Sequence, residues 1–318
     1  MPIATVPSWL RRAVPDGQGL AGKDVDDVAL VAGAAIGALD AVVRRQERWA
    51  GAWRQRLALS AAAVTARQGG RIEDEAALRD AVLLTRPGDD VGPAGRMFLA
   101  WRRLAITPVE KLLTAVSVGA VLEDLGLAHD DESVGDLTDD LSQLAASGGT
   151  TGMMTGAIAI VDRRGFGRAL GAWLADALLA QRLGWANAVP LLGTEAALGS
   201  RPGRARGSAM APPPARIELE TDGAKGLVAA QARAALRAID LSSELERRAD
   251  RLLAVAPKLR AKGSDAVVER LLSGDAIVAS EKIAGMSDRG LRRLFDRLVE
   301  FGAVRELTGR PTFRIYGL

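Results

Sequence analysis

Apolar positions recur at three- and four-residue spacing through most of the first 200 residues, a pattern of packed helices rather than strands. Asp24-Val25-Asp26-Asp27 supplies acidic residues suited to a helix start. It leads into Val28-Ala29-Leu30-Val31 and then a small-residue face containing Gly33 and Gly37. Small faces let helices approach closely, so tight helix–helix packing is expected there. A second helix is expected over about 48–67, stopped at Gly69-Gly70, where a left-handed residue is easily made. Shorter helices follow near 73–84, 94–104, 108–126 and 134–146, divided by Arg86-Pro87-Gly88 and Thr107-Pro108. Another spans about 166–183, with Ala169, Leu170, Trp173, Leu174, Ala177 and Leu178 at helical spacing. No fixed-period repeat of the solenoid kind is found.

The periodicity breaks over 200–216. Three consecutive prolines, Pro212-Pro213-Pro214, and nearby glycines forbid a helix and predict an exposed linker or long loop. Its Arg201, Arg204 and Arg206 could touch a polyanion; the plainer reading is a solvated tether. The next division, 217–260, holds one long helix over about 224–256, stopped at Pro257.

The last division, 261–318, has a different rhythm. A short helix over 265–273 ends at Gly274, and Ala276-Ile277-Val278-Ala279 reads as extended. Ser280 offers an N-cap to a short helix through Glu281, Lys282, Ile283 and Ala284. Gly285-Met286 makes a turn, and Ser287 caps the next helix with Asp288 placed against its dipole. Leu291, Leu294, Phe295 and Leu298 form an apolar stripe along it, while Arg289, Arg292, Arg293 and Arg297 project from other faces. Gly302 supplies the stop. Two extended runs follow, Ala303-Val304-Arg305-Glu306-Leu307 and Thr312-Phe313-Arg314-Ile315-Tyr316, joined by Thr308-Gly309-Arg310-Pro311.

This order of elements resembles the winged helix-turn-helix family, with the wing at Gly309-Arg310-Pro311. The resemblance implies that the helix over 287–301 enters the major groove of double-stranded DNA while wing arginines reach phosphates or the minor groove. Arg289, Arg292, Arg293, Arg297, Arg310 and Arg314 are then the expected DNA contacts, since arginine grips guanine bidentately or neutralises a phosphate. Winged helices also serve as protein-interaction modules, and the same arginines can be a solvated face. The expected fold class is mainly α: an N-terminal multi-helix domain over 1–199 and a C-terminal winged helix-turn-helix.

Charge sharpens this picture. The chain carries 42 basic and 39 acidic residues, with an isoelectric point near 9.6. Residues 201–318 hold 22 basic against 15 acidic, whereas the first 200 hold 20 against 24. Positive charge segregated toward one end points to a polyanion more specifically than net charge does. The absence of cysteine excludes disulfides, thiolate metal sites and a cysteine nucleophile. A single histidine excludes any site needing two imidazoles. No constellation of nucleophile, base and orienting group is visible, so neither an enzyme nor a cofactor or metal site is expected.

Other motifs reduce to structure. Gly17-Gln18-Gly19-Leu20-Ala21-Gly22-Lys23-Asp24 nearly spells a phosphate-binding loop, but Asp24 stands where a hydroxyl should bind magnesium. Gly165-Phe166-Gly167 lacks the third glycine of a dinucleotide motif and reads as a helix start. The stretch from Asp130 through Asp140 reads as a solvated acidic loop, because Val134 and Leu141 occupy positions where calcium needs oxygen. His129 reads as a surface histidine. Trp49, Trp53, Trp101, Trp173 and Trp185 belong most simply to the core. The N-terminal stretch through Arg11-Arg12 lacks the charge order of a secretory signal. No apolar run approaches the roughly 20 residues a membrane span needs, so a cytoplasmic location is expected.

Three strings carry a wider resemblance: Gly70-Arg71-Ile72-Glu73-Asp74-Glu75-Ala76-Ala77-Leu78-Arg79-Asp80, Arg86-Pro87-Gly88-Asp89-Asp90-Val91-Gly92-Pro93-Ala94-Gly95-Arg96, and the ending from Leu307 through Leu318. By these the chain resembles an uncharacterised alphaproteobacterial family, domain of unknown function 1403, which implies no activity or site residues. The Thr308-Gly309-Arg310 wing with Arg314 and Tyr316 is also similar to the winged helix that ends many Fic-type proteins. Their HxFxxGNGR motif is absent, since His129 precedes Asp130-Asp131, and that activity is not implied. The sequence therefore leads to a DNA-binding protein that works as a homodimer on two half-sites, without a membrane partner. The alternative is a non-enzymatic helical adaptor using the winged helix for protein contact.

Overall fold

A computed structural model describes residues 6–14, 19–146, 149–196, 213–308 and 313–318, with side chains omitted at 21 and 213–221. The described residues are mainly helical. In chain order the helices are α1 (Ser8–Ala13), α2 (Val25–Val43), α3 (Ala50–Gln68), α4 (Glu75–Leu83), α5 (Gly92–Ile106), α6 (Val109–Leu112), α7 (Ala115–Asp124), α8 (Asp131–Ala146), α9 (Thr150–Arg164), α10 (Arg168–Leu183), α11 (Pro213–Val255), α12 (Ser264–Ser273) and α13 (Asp288–Glu300). The short strands β1 (Ile277–Val278), β2 (Arg305–Glu306) and β3 (Ile315–Gly317) lie near the C-terminus.

Side-chain caps set several helix starts. Asp24 accepts from Asp26 N at α2, Asp74 from Ala77 N at α4, Thr114 from Ser117 N at α7, and Ser287 from Gly290 N at α13. The body is organised around α3 and α10, each buried on most of its surface and rich in alanine. Helix α3 packs on α5, α10 on α9, and α11 runs along α2. Trp53, Trp101 and Trp173 fill this core. Four indole N–H groups have acceptors: Ala238 O for Trp53 at 2.9 Å, Thr65 Oγ1 for Trp101 at 2.8 Å, Ala100 O for Trp173 at 3.0 Å and Asp40 Oδ1 for Trp185 at 2.8 Å.

One carboxylate shapes the loop beyond α10. Asp176 is buried and accepts backbone N–H groups from Leu191 at 2.7 Å and from Leu192 at 3.0 and 3.1 Å. This draws the 3-10 turn Leu192–Thr194 inward until Gly193 lies flat on Trp101, where a Cβ would come within 2.2 Å of the indole. Burial pushes the Asp176 carboxyl up to about 7, although its backbone donors pull the other way.

Four expectations need correction. Gly33 and Gly37 do not pack against a helix: α2 buries Val28, Val31, Ala32, Ala35 and Leu39, while both glycines are exposed with open space around them. The prolines do not exclude a helix throughout 200–216. Helix α11 begins at Pro213, because proline fits a helix's first turn, where its missing N–H has no partner to lose. The rest of that expected linker, 200–212, lies outside the described residues. The acidic stretch after His129 is the start of α8 rather than a loop, capped reciprocally by Asp130 and Ser133. Lastly, the short helix expected from Ser280 is absent. Residues 279–287 turn irregularly, with Glu281 drawn aside to Arg270, and its five residues before Gly285 are too few to propagate a helix.

The strands form one antiparallel sheet in the order β1–β3–β2, pairing Ile277 with Tyr316 and Glu306 with Tyr316 on opposite edges of β3. Phe295 of α13 stacks on Tyr316 with ring centroids 4.3 Å apart and planes 7° from parallel. The buried apolar residues of this segment continue those of the body in a single cluster from Val6 to Leu318.

Candidate nucleic-acid interface

Helix α13 is sharply two-sided. Leu291, Leu294, Phe295 and Leu298 face inward, whereas Arg289, Arg292, Arg293, Asp296, Arg297 and Glu300 are exposed. Helical spacing puts Arg289, Arg292 and Arg293 on one outward face in the first two turns. Asp296 and Glu300 follow on the same face, so the positive charge is concentrated toward the N-terminal end. Ser287 fixes that end by accepting the Gly290 N–H at 3.2 Å.

The segment leading into α13 is pressed against the start of α12. Gly263 has φ +87 and Gly285 φ +78, and a Cβ on Gly263 would stand 3.0 Å from Ala284 O. Lys262 lays its stem against Gly285 and is itself exposed, bringing another cation to the base of α13. Sequence spacing carried no signal for Lys262, since the approach depends on how two loops meet.

The expected DNA-contact arginines separate into three groups. Arg289, Arg292 and Arg293 have no hydrogen bond or ion pair among the described residues. Arg297 lies over the Phe301 ring at 5.3 Å, and Arg314 stands 3.8 Å from Glu306 and 4.0 Å from Asp296. The Tyr316 hydroxyl and then Glu306 hold the Arg314 guanidinium above its ordinary range. Arg310 lies outside the described residues. Phe313, beside that segment, is exposed in a left-handed conformation at φ +59.

Behind this face, a buried ionic cluster fastens the C-terminal segment to the body. Asp275, between α12 and β1, accepts from Arg56 of α3 and, at 2.6 Å, from Arg79 of α4. Burial alone would raise the Asp275 carboxyl, but the two guanidinium groups outweigh it and hold the group below its usual range. Gln55 donates to Ser273 O at 2.9 Å, and Arg248 of α11 donates to Leu318 O at 3.1 Å. Helix α3 touches the end of α12 backbone to backbone at Gly51.

A family model described as protein of unknown function (DUF1403) matches residues 1–318. The chain belongs to the DUF1403 family. No curated protein and no solved structure matches it. In this DUF1403 chain, no group of three or more histidine, aspartate or glutamate residues is placed to hold a metal among the described residues. His129 is exposed, with Nδ1 2.8 Å from Leu127 O. No described helix is long and apolar enough to cross a membrane.

Proposed function

We propose that this chain binds double-stranded DNA through the first two turns of α13, its C-terminal segment working as a winged helix-turn-helix. The observation that carries this reading is the group Arg289, Arg292 and Arg293: exposed, on one face, and without a partner among the described residues. Helix-turn-helix proteins read base edges with the N-terminal residues of the recognition helix, the part of α13 that is basic here. Helices α12 and α13 around the β1–β3–β2 sheet support the same reading, although the segment 279–287 replaces the second helix. Arg297 and Arg314 are secondary contacts in this account, because Phe301, Tyr316, Asp296 and Glu306 already engage them. The proposed role is non-enzymatic and cytoplasmic, with two copies bound to paired half-sites.

A second reading, contact with another protein, is favoured by Val299, Phe301 and Phe313, all exposed. The variant R289A/R292A/R293A separates the two. Fluorescence anisotropy with a labelled duplex should show at least a tenfold loss of affinity at low salt, with the melting temperature unchanged. Equal binding by wild type and variant would remove α13 from the interface.

A further inference from the structure

A cavity of about 70 Å³ lies where α5 meets α12 and the β1 lead-in. Its lining includes Arg102, Arg270, Gln55, Phe98, Asp275 and Glu281. A water needs only about 10–15 Å³ on this measure, so there is room for several waters or one small ion. The charges around it do not balance. Asp275 is matched by two arginines, Arg56 and Arg79, and Glu281 by Arg270. Arg102 is left over, making no hydrogen bond or ion pair among the described residues, and its Nε is buried without a partner. Burial first, and the proximity of Arg270 second, hold the Arg102 guanidinium below its ordinary range, with Asp275 and Glu281 opposing. A mostly buried guanidinium without a counterion is unfavourable unless an acceptor reaches it.

We infer that this cavity is a binding site for a small oxyanion, a phosphate or carboxylate group, held between Arg102 of α5 and Arg270 of α12. Arginine's planar fork suits such a group, and two forks on separate helices give the site its selectivity for oxyanions over halide. The anion competes with Glu281 for Arg270, which leaves Glu281 free to turn to solvent. Nothing in this inference depends on DNA binding by α13.

The test uses the full chain with inorganic phosphate, acetate and chloride at matched ionic strength. Phosphate or acetate should raise the melting temperature by about 2 °C or more over chloride at saturation. The increment should vanish in Arg102→Gln. The two oxyanions tell a phosphate site from a carboxylate site by which gives the larger shift. General salting effects on stability would act equally on wild type and Arg102→Gln, and equal increments overturn the inference. Should Arg102→Gln fail to fold, phenylglyoxal modification of the wild-type chain, mapped by mass spectrometry, decides the matter. Phosphate or acetate should slow modification of Arg102 several-fold relative to chloride, and an unchanged rate in both would equally overturn it.

Discussion

Asp176 shows how one side chain can decide a loop and a pH profile together. Backbone N–H groups of Leu191 and Leu192 favour its charged form, yet burial wins and pushes the carboxyl up to about 7. A carboxyl that stays protonated in the fold and ionises in the unfolded chain supports folding most strongly below about pH 3.9. That support fades as pH rises through about 7. Asp176→Asn removes the titration while keeping an acceptor for the loop. Its stability relative to wild type should therefore climb by up to roughly 1.4 kcal/mol per pH unit between pH 4 and 7. Parallel denaturation profiles for the two proteins across that range would show that Asp176 does not titrate there. Nothing in the sequence around Asp176 announced this role. It stands amid the apolar stripe of α10, and its donors arrive fifteen residues later in irregular chain.

At the scale of elements, glycines with different surroundings separate close packing from mere flexibility. A Cβ at Gly51 would meet Ser273 O at 2.4 Å, backbone against backbone, whereas one at Gly33 meets nothing. Gly51→Ala should destabilise by about 1–3 kcal/mol by forcing α3 and α12 apart. Gly33→Ala should stabilise by about 0.5–1 kcal/mol, since alanine suits an exposed helix interior. Chemical denaturation measures both, and a shift of the same sign in the two variants contradicts this packing. The contrast also shows what the pattern of residues could convey. Periodicity located the long helices and the inward stripe of α13, because burial on one face leaves a repeat in the chain. It misplaced the glycine face of α2, since a small residue reads alike whether a neighbour or solvent lies beside it. The helix expected from Ser280 failed because Glu281 has a tertiary partner in Arg270, eleven residues back. Proline at the start of α11 is a positional effect that composition alone hides.

Across the whole molecule, charge and anchorage complement each other. The excess of positive charge after residue 200 looked like a general property of the C-terminal third. In the fold several of the arginines that could carry it are occupied: Arg233 and Arg237 on Glu195, Arg248 on Glu244, Arg270 on Glu281, and Arg297 against Phe301. Among the described residues, the outward cations without a partner near the C-terminus include Arg289, Arg292 and Arg293 in the first two turns of α13, on a segment fastened to the body through Asp275, Gln55 and Arg248. A face so fixed can present its three arginines without first ordering the segment that carries them. The most direct test is the salt dependence of duplex binding by the full chain. Each phosphate neutralised contributes a slope of about −0.9 in log K against log salt. Wild type should fall steeply, and R289A/R292A/R293A should fall less steeply, by up to about 2.7 in slope if all three arginines touch phosphates. A flat dependence in wild type, or the same affinity and the same slope in both proteins, would contradict DNA binding through α13.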